Sequence, residues 1–212
     1  MKAKGGGKRS NSSLMWLHRQ LRDLYTKKAK EAGFRSRSAF KLLEIQERDH
    51  LLHSGMMVVD LGAAPGGWSQ VAKQLVGAKG YVLALDCLAM PLLAGVEFLQ
   101  GDFTDSKVLD QVLGLLNGRQ VDLVISDMAP NLSGMAAVDQ PRAVYLADLA
   151  LELAQKILKP SGSFLVKLFQ GEGVTDYIAG VKQNFAEVYH RKPEASRSES
   201  RELYLVAKGF KG

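Results

Sequence analysis

Short, nearly continuous apolar runs separated by stretches of helical periodicity set the organisation of this chain. The runs lie near 56–61, 80–85, 96–99, 121–126, 162–168, 186–190 and 202–207, and each is read as a buried strand. Between them, near 68–76, 105–117, 139–158 and 173–184, apolar residues recur at the three- and four-residue spacing of a helix. Strand alternating with helix in this way predicts an α/β domain with a mostly parallel, doubly wound sheet. The connection over 191–200 is too short and too polar for a crossover helix, so the last two strands are expected to pair antiparallel. Ahead of this core, Leu14, Leu17, Leu21, Leu24 and Tyr25 recur at helical spacing among Arg19, Arg22, Lys27, Lys28 and Lys30, which predicts a basic amphipathic helix over 14–32. Gly33 ends it, and Ser36 or Ser38 is expected to cap a second helix that buries Phe40, Leu43 and Ile45. The chain thus divides into a basic flexible tail (1–13) and a single domain (14–212), the latter made of N-terminal helices (14–50) and the α/β core (56–212).

Composition narrows the setting. With 212 residues, 46% hydrophobic and 24% charged, one domain with a substantial core is expected. A single cysteine permits no disulfide framework, no apolar run reaches the length of a membrane span, and no secretory signal opens the chain, so the expectation is a cytoplasmic protein with no membrane partner. The net charge of +6 is unevenly placed: residues 1–41 carry 12 Lys and Arg against Asp23 and Glu31, leaving the remainder net acidic. Cations segregated to one end suit a polyanion, because clustered charges gain affinity by releasing counterions from phosphates. Lys27, Lys28, Lys30, Arg35 and Arg37 are the candidates for that contact.

The densest chemistry follows the first core strand. In Val58-Val-Asp-Leu-Gly-Ala-Ala-Pro-Gly-Gly-Trp-Ser69 a strand runs through a glycine-rich turn into a helix, at the strand edge where open α/β sheets bind ligands. Glycines there are expected to let backbone N–H groups approach the ligand. The spacing is neither G-x-x-x-x-G-K-[ST] nor G-x-G-x-x-G, which argues against a nucleoside triphosphate loop and a dinucleotide fingerprint. Asp60 at the strand end favours a ligand bearing a cationic or amine group. Asp86, ending the second strand, is placed to accept ribose hydroxyls, and Asp102, after the third, stands where an adenine edge would be read. Cys87 is expected to be a buried apolar residue, since no Pro-Cys pair follows the fourth strand, where Met128-Ala-Pro130 stands instead. The four histidines show no metal-ligand clustering. Asp127 closes the fourth strand and Lys167 the fifth. A lysine ending a buried strand needs a partner, and Asp127 or Glu202, which opens the last strand, is expected to supply it.

The turn sequence D-L-G-A-A-P-G-G-W-S-Q resembles the first motif of S-adenosylmethionine (SAM)-dependent methyltransferases, in the form used by FtsJ/RrmJ-type ribose 2′-O-methyltransferases. L-Q-G-D-F resembles that family's adenine-binding segment at Asp102. Lys41, Asp127, Lys167 and Glu202, within F-K-L, S-D-M-A-P-N, V-K-x-F-Q-G and S-R-E-x-Y, match its K-D-K-E tetrad, and the similarity spans essentially the whole chain. The resemblance implies a Rossmann-like methyltransferase fold: a seven-stranded, mostly parallel sheet with one antiparallel edge strand and helices on both faces. It implies SAM as cofactor, held by Asp60, Gly62, Gly66, Gly67, Trp68, Asp86, Asp102 and Asp127. It implies Lys167 as general base, Lys41 and Glu202 orienting the hydroxyl and the lysine, and Asp127 positioning the methyl donor. The implied partner is 23S rRNA in the assembled 50S subunit, methylated at a uridine ribose of the peptidyl-transferase A-loop by a monomeric enzyme. Related members act on tRNA or mRNA caps, and a ribosome-assembly factor that only binds SAM is the rival reading.

Overall fold

A computed structural model of the protein describes residues 24–131, 133–196 and 200–212. The apolar runs form β1 (Met57–Leu61), β2 (Tyr81–Asp86), β3 (Val96–Gln100), β4 (Val121–Ser126), β5 (Leu158–Phe169), β6 (Phe185–Arg191) and β7 (Glu202–Phe210). The first helix, α1, covers 24–31 among the described residues. It is followed by α2 (Ser38–Asp49), α3 (Gly67–Val76), α4 (Ser106–Leu116), α5 (Ala136–Ile157) and α6 (Val174–Asn184). One seven-stranded sheet has the order β3-β2-β1-β4-β5-β7-β6. β1 to β5 pair in parallel, and β7 runs antiparallel to both β5 and β6.

The fold class is the expected one, with one correction: the reversed strand is not at the edge. β7 lies between β5 and β6, and β6 is the outer strand. The reason is in the side chains. β7 is apolar on both faces, with Leu203, Leu205 and Ala207 buried on one side and Tyr204 and Val206 on the other. β6 exposes Glu187 and His190, which suits an edge that must not recruit another strand. β5 also begins four residues earlier than predicted, directly after α5, and a register shift opposite Val121 and Leu123 absorbs Lys159–Ser161.

Successive residues along each strand serve opposite layers. Val59, Val124, Phe164 and Leu205 pack under α4, α5 and α6, against Val112, Ala150, Leu153 and Val181. Their neighbours Val58, Leu123, Leu165 and Tyr204 pack under α2 and α3, against Leu42, Ile45, Trp68 and Val71. Each face therefore supplies a separate half of the core.

The N-terminal helices depart from expectation in detail, and the predicted helix residues 14–23 and tail 1–13 lie outside the described residues. Leu24 is exposed, and Tyr25 instead meets Phe40 at a centroid distance of 5.7 Å. Neither serine caps α2: Arg37 occupies the cap position with helical backbone angles, while the Ser36 and Ser38 hydroxyls bond each other at 2.6 Å. The buried stripe is Ala39, Leu42 and Ile45, with Phe40 and Leu43 only half-buried beside it.

Polar ties hold α2 against the last two strands along its length. Lys41 near its start bonds Glu202 at 2.6 Å. Mid-helix, the Glu44 carboxylate accepts the Glu194 and Ala195 backbone N–H groups. At its end Arg191 forks onto the buried Asp49 carboxylate at 2.6 and 2.7 Å, and Lys208 donates to the Asp49 carbonyl at 2.6 Å. Removing one partner of such a bidentate pair strands a buried charge. Arg191→Ala is accordingly expected to destabilise the fold by about 3 kcal/mol, read from urea unfolding, and Asp49→Asn in the same background to recover part of it.

Candidate active site

The turn after β1 is held mainly by the end of β2. The Gly62 and Ala63 N–H groups donate to the Leu85 carbonyl, Gly66 N–H to the Ala63 carbonyl, and Ala64 N–H to Asp86 Oδ2 at 2.8 Å. The glycines are needed, for a reason the motif alone does not give. A Cβ on Gly62 would stand 2.7 Å from Met128 Cγ, and one on Gly66 2.8 Å from Met90 Sδ. One on Gly67 would overlap the Ser36 hydroxyl. The absent Cβ atoms thus make room for the β4 loop, the loop after β2 and the α1–α2 connection. Gly62 and Gly66 also have positive φ, at 74° and 106°. Trp68 likewise points inward. Its ring is buried, its indole N–H donates to the Ser38 carbonyl at 2.9 Å, and it packs 5.7 Å from the Tyr204 ring.

The acidic candidates differ in environment. Asp60 is fully buried; Oδ2 accepts from the Ser69 hydroxyl at 2.6 Å, while Oδ1 has no hydrogen-bond partner among the described residues. Burial pushes its carboxyl up to about 7, against the lowering effect of Ser69, and Asp127 and Asp86 push the same way. Asp86 accepts from Ala64 and Leu88 N–H, one on each oxygen, which leaves further lone pairs on both. Asp102 is exposed and accepts from the Thr104 amide and hydroxyl, a turn geometry, and Asp105 caps α4. Cys87 is exposed, not buried as expected, because it follows the last residue of β2 and lies off the sheet.

The tetrad comes together where β4, β5 and β7 meet. Lys167 donates to the Asp127 backbone carbonyl and lies 3.1 Å from Asp127 Oδ1, so of the two expected partners it takes Asp127. Lys41, reaching in from α2, takes Glu202. Between the two pairs stands a residue that the sequence reading missed. The Tyr204 hydroxyl donates to Asp127 Oδ1 at 2.8 Å and accepts from Lys41 Nζ at 3.1 Å, linking all four side chains into one network. Tyr204 lies directly across from Lys167 in the sheet and two residues from Glu202, on the same face. Burial first, then Asp127 and Glu202, push its phenol well above the ordinary range. Burial works to raise the Glu202 carboxyl, but the Lys41 charge and hydrogen bond, with help from Lys167, outweigh it and hold it below the usual range.

A family profile described as FtsJ-like methyltransferase matches residues 34–210. The chain belongs to the FtsJ-like methyltransferase family. Curated relatives include proteins named ribosomal RNA large subunit methyltransferase E from Chromohalobacter salexigens, 57% identical with 96% of this chain and 97% of that one covered, and from Alkalilimnicola ehrlichii, 57% identical with 97% and 99% covered. Among solved structures, a Plasmodium falciparum protein described as a ribosomal RNA methyltransferase superposes with a TM-score of 0.74 at 26% identity, covering 84% of this chain and all of that one.

For an FtsJ-like methyltransferase the implied methyl donor is SAM, and the residues present fit it. The orphaned Asp60 Oδ1 is a buried acceptor without a donor, which a ligand ammonium group would satisfy. The spare lone pairs of Asp86 suit ribose hydroxyls.

The candidate RNA contacts are not equivalent. Lys27, Lys28 and Lys30 are exposed on α1; Lys27 is 3.8 Å from Glu31 and Lys28 lies over the Tyr25 ring. Arg37 is half-buried and acts electrostatically on Tyr204, which places it beside the tetrad. Arg35 makes further contacts within the fold. Its guanidinium donates to the Pro91 and Leu92 carbonyls at 2.6 Å each and its N–H to Gln70, so it ties the loop after β2 to the glycine turn.

Asp60→Asn provides a test of the cofactor assignment. A carboxyl raised in the folded state stabilises most below its unfolded value of 3.8, and that contribution is lost as pH rises through about 7. In the free protein the substitution is therefore expected to raise Tm more at pH 8 than at pH 5, because the loss runs from about 3.8 to about 7. SAM affinity, measured by calorimetry, is expected to rise between pH 6 and pH 8 in the native protein, and in the variant to be weaker and without that rise.

Proposed function

We propose that this protein transfers a methyl group from SAM to the 2′-hydroxyl of a uridine ribose in the peptidyl-transferase A-loop of 23S rRNA, on the assembled 50S subunit. The observation that carries the reading is the continuous network Lys167, Asp127, Tyr204, Lys41 and Glu202 at the sheet edge, one hydrogen bond from the motif strand: the Asp127 N–H donates to the Leu61 carbonyl at 3.1 Å. The names of the relatives support the choice of large-subunit rRNA.

SAM supplies a methyl group already activated on a sulfonium, so the protein's task is to align the hydroxyl and accept its proton. Lys167 Nζ is tetrahedral. One direction is its own Cε, and two N–H groups are held by the Asp127 carbonyl and carboxylate. The remaining direction is the one a ribose hydroxyl meets, as a lone pair when the amine is neutral, and the proton then moves from O2′ to Nζ. Asp127 thus aims the base by fixing two of its three substituents on nitrogen. Glu202 stays ionised and anchors Lys41, whose ammonium stands beside the same carboxylate network and orients the acceptor ribose. Lys27, Lys28, Lys30 and Arg37 extend a cationic surface for phosphates from α1 towards the tetrad. A base can be splayed out of its stack, and its Watson–Crick edge read beside its own 2′-hydroxyl, only where RNA is single-stranded, as in a loop.

The test is methyl transfer from labelled SAM to undermodified 50S subunits, free 23S rRNA and tRNA, with the product located by resistance of the modified linkage to alkali. One labelled ribose on the subunit is expected. Lys167→Ala is expected to lower transfer roughly 10²- to 10⁴-fold while SAM still binds. Labelling of tRNA alone would overturn the substrate, and full turnover by the variant would overturn the base.

A further inference from the structure

A second concave site adjoins the tetrad. A cavity of about 300 Å³ is lined by Gly134, Ala136, Asp139, Gln140, Ala143, Phe169, Ser200 and Arg201. Phe169 joins it to the chemistry: its ring lies 5.8 Å from Lys167 Nζ, and its backbone pairs with Glu202. The size sits at the lower end of small-molecule sites, room for one base and not for a duplex.

The wall of this cavity is built. The Asp139 carboxylate accepts the Ser133 amide and hydroxyl at 2.8 Å and the Gly134 amide at 3.0 Å, fixing the loop after β4 to the first turn of α5. The next residue, Gln140, is 7% exposed, and its amide nitrogen donates to the Phe169 and Glu172 carbonyls at 2.9 and 3.1 Å. Gly171 makes room for this, since a Cβ there would stand 2.5 Å from Gln140 Cδ. With both amide hydrogens spent, the carboxamide orientation is set, and what Gln140 can offer a ligand is its carbonyl oxygen, an acceptor with no donor among the described residues. An aromatic ring, a fixed acceptor and the exposed cation of Arg201 lie together around a space bounded otherwise by small side chains.

We propose that this cavity receives the base of the nucleotide whose ribose is methylated, stacked on Phe169, with Gln140 selecting bases that carry an imino N–H. Uracil and guanine present that donor. Cytosine and adenine present a lone pair at the same position, which leaves the acceptor unpaired and opposed. Arg201 at the rim takes an adjoining phosphate. This inference rests on the RNA ribose reading above and adds to it the means by which the base is chosen.

The experiment uses 50S subunits reconstituted with 23S rRNA carrying uridine, N3-methyluridine, cytidine, guanosine or adenosine at the target position, and the full-length protein. Loss of donor recognition, with stacking kept, is expected to lower kcat/KM by roughly 10- to 100-fold. N3-methyluridine and cytidine should fall by that order against uridine, and guanosine should exceed adenosine. Phe169→Ala should raise KM with SAM affinity unchanged, and Gln140→Leu should erase the preference for uridine over N3-methyluridine. The substituted substrates test the native protein, so a variant that fails to fold does not decide the matter. Equal methylation of uridine and N3-methyluridine would overturn the base cavity alone. No methylation of any subunit by the native protein would instead overturn the function on which it rests.

Discussion

The direction of one strand determines what this sheet can do. Parallel strands bring only their carboxyl ends to the ligand edge, so a residue that opens a parallel strand lies on the far side of the molecule. β7 is reversed and sits beside β5, and its first residue therefore arrives at the ligand edge together with the last residues of β4 and β5. Glu202 and Tyr204 reach Lys41 and Asp127 for this reason alone. A β7 at the outer edge would have left β6 between it and Lys167.

The network that results is held by the cost of burying charge. Lys41 and Lys167 expose less than a tenth of their side chains, and each ammonium is met by a carboxylate and a second oxygen. A buried ion pair of this kind contributes little net stability against a well-packed apolar pair, but it strongly penalises any arrangement that separates its members. Its value here is positional. Tyr204 matters because one hydroxyl both donates and accepts, joining two pairs that would otherwise be free to shift independently. α2 belongs to this arrangement as much as the sheet does: its buried apolar stripe sets its distance, and its ties to Glu202, residues 194–195 and Arg191 set its rotation.

Most of the strand and helix positions were legible because each strand is a nearly continuous apolar run and each helix is amphipathic. Strand order was less so, since the choice between β6 and β7 for the outer position depends on comparing two non-local faces, and only the charge on β6 hints at it. The tetrad was readable from residue type and neighbours, whereas Tyr204 was hidden inside Leu-Tyr-Leu-Val, where an aromatic reads as core. Its ring belongs to the core, and its oxygen bonds Asp127 and Lys41. The glycines were identified, but one packing demand on them was not: what meets Gly62, Gly66 and Gly67 are side chains brought from residues 128, 90 and 36, contacts no local pattern contains. The contacts of Arg35 were illegible for a similar reason, since a basic residue in a basic segment gives no sign that distant backbone carbonyls will engage it.

Asp60 links the protein's persistence to its surroundings. A carboxylate sealed in the core with one oxygen unpaired lowers the stability of the empty fold and is relieved when a cationic ligand group arrives. Molecules without ligand open more often, and proteases act on the opened form. Turnover would then fall first on the copies without a bound ligand.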